Sequence, residues 1–127
     1  AFGFPIQVDE RWIEMDYGVL DGCPMSEVNP KIWENWRTDL DWAPSGGESH
    51  RQVGERIREA CEELTPQIKT KEIIVVTHVS PIKAALAWTL NAGDEITWRS
   101  YVSPASIMTI GPGPSLRKFN DVSHLDD

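Results

Sequence analysis

Ile73-Ile74-Val75-Val76-Thr77-His78-Val79-Ser80-Pro81-Ile82 is the stretch on which the fold of this chain turns. Its first five residues are all β-branched, which predicts a short buried strand. Ser80 is a good N-cap and Pro81 a good first helical residue. The helix they open carries Ile82, Ala85, Leu86 and Leu90, with Gly93 placed to stop it. His78 therefore falls where a buried strand hands over to a helix. Ligands gather at that end of an α/β sheet, and the free N–H groups and dipole of the helix favour an anion there.

Working outward, Ser106-Ile107-Met108-Thr109-Ile110 predicts a strand, Gly111-Pro112-Gly113-Pro114 a turn, and Ser115 to Phe119 a returning hairpin partner. Upstream, Ser49 and Gln52 make a capping box. The helix that follows sets Val53, Ile57, Ala60, Cys61 and Leu64 against a polar face, and Pro66 ends it. Asn29-Pro30 starts another helix with Ile32, Trp33, Trp36 and Leu40 on one face. Between the two helices, Ala43-Pro44-Ser45-Gly46-Gly47-Glu48 is loop, and residues 5–22 are irregular. The order is an α/β arrangement with helices covering a sheet. It is short of strands. A parallel neighbour for residues 73–77 is expected upstream of Ala1.

The chain has 127 residues, the size of one domain, and a net charge of −8 with no basic cluster, which argues against nucleic-acid or anionic-membrane partners. Its two cysteines, Cys23 and Cys61, are too few for a disulfide framework or a zinc site and suit free thiols in a reducing cytoplasm. No apolar stretch reaches membrane-spanning length. The opening on Ala1-Phe2-Gly3-Phe4-Pro5 predicts a processed chain or a fragment.

Few residues offer chemistry. Glu14, in Trp12-Ile13-Glu14-Met15-Asp16-Tyr17-Gly18, sits among apolar and aromatic neighbours that would suit a general acid, although an isolated glutamate there reads first as a solvated loop residue. Glu48 precedes a helix start, where the dipole favours an acid. His50 is expected to be exposed, His124 to be a tail residue, and Lys83 to be solvated. The histidines lack metal-ligand spacing.

Four stretches occur in one order: Asp9 to Gly22 around Glu14, Pro44-Ser45-Gly46-Gly47-Glu48-Ser49, Val75-Val76-Thr77-His78, and the tail Asn120 to Leu125. In that order and spacing they resemble the C-terminal part of the histidine phosphatase superfamily, which includes phosphoglycerate mutase-like and CobC-type α-ribazole phosphatase-like proteins. The His-Val-Ser-Pro-Ile-Lys form looks most like the CobC-type branch. The resemblance implies a three-layer α/β/α sandwich of the phosphoglycerate mutase-like type, with residues 1–127 as a single domain lacking its first strand and the helix and strand that follow. It also implies phosphoryl transfer through a phosphohistidine without a metal or other cofactor, on a small phosphorylated metabolite. Glu14 would give a proton to the leaving oxygen and His78 would stabilise the phosphoryl charge, as the catalytic pair. Val79, Ser80 and Glu48 would contribute to substrate binding, the last more as a positioning residue. The family's nucleophilic Arg-His-Gly motif is not in this sequence. The open edge beside residues 73–77 would take the upstream segment or another chain. A non-catalytic relic binding an anion or a protein, and a phosphomutase, are the alternative readings.

Overall fold

The computed structural model describes residues 3–125. Three α-helices and one β-hairpin make up its regular structure: α1 (Pro30–Thr38), α2 (His50–Leu64), α3 (Val79–Thr89), β1 (Ile107–Gly111) and β2 (Ser115–Asp121). Short 3-10 turns fill the connections, among them Glu10–Trp12, Gly18–Leu20 and Asp94–Arg99.

The helices start where their caps dictate. Asn29 accepts from the Lys31 N–H ahead of Pro30. Ser49 and Gln52 form the reciprocal capping box of α2. Helix α3 begins earlier than its sequence suggests: His78 is the N-cap, with no side-chain capping bond, and Pro81 sits at the third helical position. A proline is tolerated there because first-turn N–H groups have no intrahelical partner. Asn91, not Gly93, takes the left-handed conformation past the helix end at φ 50°, and the Ala92 N–H closes back on the Ala87 carbonyl at 2.9 Å.

Helices α2 and α3 pack together, and the core they share with α1 holds Trp36, Val53, Ile57, Cys61, Ala85 and Met15. Ile57 and Ala60 are fully buried and Trp36 is 1% exposed. The hairpin is antiparallel, with register shifts between Ile107 and Ile110.

Residues 73–77 do not form the buried strand that their composition predicts. They join no ladder, and Ile74 and Val76 are 86% and 91% exposed. Ile6 and Val8 are bared to the same degree, 92% and 90%. A β-branched run becomes a strand only where a neighbour satisfies its backbone groups. Among the described residues the only sheet is the β1–β2 hairpin. The exposed apolar surface expected beside this run is present.

Candidate active site

Glu14 owes its place to loops brought unusually close. The segment after it meets Pro44-Ser45-Gly46-Gly47-Glu48 through two backbone bonds and one to a side chain: Val19 N–H to Ser45 carbonyl at 3.0 Å, Glu48 N–H to Asp16 carbonyl at 2.8 Å, and Asp16 N–H to the Glu48 carboxylate at 3.0 Å. Two glycines permit the approach. Gly18 has φ 52° and a side chain there would strike the Ser45 carbonyl; a Cβ on Gly47 would lie 2.6 Å from the Asp16 carbonyl.

The Glu14 carboxylate reaches the N-terminus of α3. Its Oε1 accepts the Ser80 N–H at 3.1 Å and the Met15 N–H at 2.7 Å. A helix N-terminus favours a negative charge, so this contact is electrostatically sound. The Ser80 N–H, at the helix end that the resemblance assigns to substrate binding, is donated to Glu14. The exposed His78 caps the same helix end and Val79 follows it. The Thr77 hydroxyl donates to the Trp12 carbonyl, tying the His78 run to the Glu14 loop.

Glu48 is committed elsewhere. Arg56 donates to both of its oxygens at 2.9 Å, and Asp16 donates to one. Burial works to raise this carboxyl, but Arg56 and the Asp16 N–H outweigh it and hold the group below its ordinary range. Those contacts fit Glu48 for holding the Glu14 loop, and it does not line the cavity beside α3.

That cavity has a volume of about 410 Å³. Val79, Ser80 and Lys83 line it from α3, Met15 and Tyr17 from the segment after Glu14, His50 from α2, and Trp33, Trp36 and Trp98 on its aromatic side; Glu14 and His78 themselves are not among its lining residues. Three of these residues behave differently from their sequence reading or escaped it. His50 is not an exposed turn residue: its ring packs 5.8 Å from Trp36 and 5.0 Å from Trp98, and its Nε2 is buried. Burial, and then the Lys83 charge, push its pKa down to about 4, so it is neutral at pH 7. Lys83 is half-buried and donates to the Thr97 carbonyl at 2.9 Å. Burial lowers its pKa and the Glu14 charge works against that. For Tyr17, burial and then the Glu14 charge hold the phenol above its ordinary range. The spacing of Val53 and Ile57 with His50 on α2 was the one sequence signal that His50 faces inward.

The sequence profile of the histidine phosphatase superfamily (branch 1) matches residues 1–122. This chain belongs to that superfamily. It is 30% identical, over 110 residues, to a bifunctional protein of Mycobacterium tuberculosis, a match covering 84% of this chain and 30% of the relative. It is 32% identical over 95 residues to a glucosyl-3-phosphoglycerate phosphatase of Mycolicibacterium vanbaalenii, covering 67% of this chain and 42% of that one. The fold is similar to the crystal structure of an Entamoeba histolytica phosphoserine phosphatase mutant in complex with phosphoserine. The TM-score is 0.81 at 22% identity, covering 97% of this chain and 66% of the other. The chain thus spans less than half the length of these curated relatives and about two thirds of the solved one. Its α/β fold is that of the superfamily.

Proposed function

We propose that residues 1–127 are the C-terminal portion of a histidine phosphatase domain that hydrolyses a small phosphomonoester, with the nucleophilic histidine supplied from outside these residues. The observation that carries this reading is the meeting of the Glu14 carboxylate with the N-terminus of α3, 3.1 Å from the Ser80 N–H, where His78 caps the helix beside the cavity. In the reaction, the phosphorus–oxygen bond to the leaving alcohol breaks as a phosphorus–nitrogen bond forms to the outside histidine. Glu14, in its protonated form, gives its proton to the leaving oxygen. His78 and the Val79 N–H bind the phosphoryl oxygens as charge builds on them. Water then takes the phosphoryl group from the histidine, with Glu14 accepting its proton.

The bare face of Ile74 and Val76 supports a neighbouring strand as the source of that histidine, since an uncovered apolar strand face is a liability in water. A small phosphorylated metabolite is the partner in this reading, a CobC-type phosphatase the branch that the His-Val-Ser-Pro-Ile-Lys form suggests, and the cytoplasm, which keeps the exposed thiol of Cys23 reduced, the compartment. Joining the chain to an upstream segment that carries an Arg-His-Gly motif tests the proposal. Hydrolysis of 4-nitrophenyl phosphate is the expected result. Its absence in a folded, joined protein would leave the relic reading, and transfer to a second alcohol in preference to water would favour a phosphomutase.

A further inference from the structure

Arg56 lies on the second turn of α2, and its side chain is 16% exposed. A guanidinium has five N–H donors in a fixed planar fork. Each of the five has an acceptor here. Two go to the Glu48 carboxylate at 2.9 Å, as a bidentate pair. The other three go to backbone carbonyls of the Glu14 segment: Arg11, Ile13 at 2.9 Å and Glu14 itself at 3.3 Å. Glu48, fixed by this pair, receives the Asp16 N–H at 3.0 Å. One ion pair therefore grips the chain on both sides of Glu14.

Besides its bonds to the loop at residues 45–48 and from the Thr77 hydroxyl, that segment has no regular structure of its own. It lies between the 3-10 turns at Glu10–Trp12 and Gly18–Leu20 and joins no ladder. Carbonyls of such a loop meet water unless a side chain takes them. Because the fork is rigid and both its edges are filled, the carbonyls of residues 11, 13 and 14 are held in one arrangement. In that arrangement the Glu14 carboxylate meets the Ser80 N–H.

We infer that Arg56 is the positioning residue for Glu14, setting through Glu48 and the loop carbonyls where that carboxyl delivers its proton. The inference rests on the general-acid reading of Glu14. A misplacement of about 1 Å in a proton donor lowers rate by as much as about 100-fold. The loss should appear only where a proton must be delivered, because an activated leaving group departs without one.

The experiment compares phenyl phosphate, a poor leaving group, with 4-nitrophenyl phosphate, a good one, in the catalytically competent protein that includes the nucleophile. Arg56→Gln and Arg56→Lys are measured beside Glu14→Gln and the double variant Glu14→Gln/Arg56→Gln. Arg56→Gln should lower kcat on phenyl phosphate about tenfold more than on 4-nitrophenyl phosphate, with little change in KM. Arg56→Lys keeps the charge without the fork, so it should show the same selectivity at smaller size. On phenyl phosphate the double variant should lose no more than Glu14→Gln alone, because both changes act through one group. If Arg56→Gln does not fold, the selectivity of Arg56→Lys decides the matter. Equal losses on both substrates in the Arg56 variants, or losses that add to those of Glu14→Gln, overturn the inference while leaving Glu14 as the acid. Equal losses in Glu14→Gln itself overturn the general-acid reading, and this inference with it.

Discussion

Glu14 and His50 show how the same fold treats two titratable side chains. Glu14 is held at a helix N-terminus, where an N–H donor and the dipole meet its charge. His50 is placed between two indole rings with its Nε2 buried, where charge is unwelcome. Its pKa falls from 6.5 to about 4, and the sign of the consequence follows. Between those values the unfolded chain binds a proton on His50 that the folded chain does not. Stability therefore declines as pH falls from about 6.5 toward 4, and the decline is reversed on returning to neutral pH. Urea melts from pH 4 to 8 should show this slope, and His50→Phe should flatten it. A slope unchanged by the substitution would place its origin elsewhere. At His78 the expectation concerns rate. In the competent protein, His78→Ala should lower turnover at least ~100-fold through lost stabilisation of phosphoryl charge. Near-normal steady-state turnover would remove His78 from the mechanism.

Among the elements, α2 does the most. One face supplies Val53, Ile57, Ala60 and Cys61 to the core, its first turn brings His50 to the cavity, and its second turn sends Arg56 to the Glu14 loop. Ile57→Ala should cost about 2–5 kcal/mol, read as a lower urea midpoint at unchanged slope, because the side chain is fully buried. The glycine-rich loop ahead of α2 matters in another way. Gly18→Ala would put a side chain into the Ser45 carbonyl from a left-handed backbone. It should both lower the melting temperature and shift Glu14, so the loss on phenyl phosphate should exceed that on 4-nitrophenyl phosphate. These elements were legible in the sequence because local chemistry sets them: the Ser49–Gln52 box and Asn29-Pro30 fix helix starts wherever the helices later pack. The 73–77 strand was not realised, for the opposite reason. A strand borrows its hydrogen bonds from a neighbour, and no run of β-branched residues supplies one by itself.

At the scale of the whole described chain, two apolar stretches stand bare in water, as the proposed missing neighbour requires. Ile6, Val8, Ile74 and Val76 are all at least 86% exposed, although residues of this kind make the core elsewhere. The 127 residues expressed alone should bind an apolar dye strongly or self-associate in a concentration-dependent way. Joining the upstream segment should abolish both. A dye-negative monomer would contradict this expectation. No helix among the described residues is long and apolar enough to cross a membrane.

The helices, the hairpin and the ordered motifs shared with the histidine phosphatase superfamily were legible in the residues alone. Caps, turns and amphipathic spacing act over a few residues and survive any packing. What surrounds the candidate acid emerges only once the chain has folded. Arg56 lies 42 residues from Glu14 in the chain, and His50 with Lys83 meet across a helix pair. Such contacts depend on how α2, α3 and two loops converge, and no local pattern encodes that. The opening stretch divides along the same line. Its β-branched run and its helix start can be read in order, but whether the run is a strand depends on a neighbour that pairs with it.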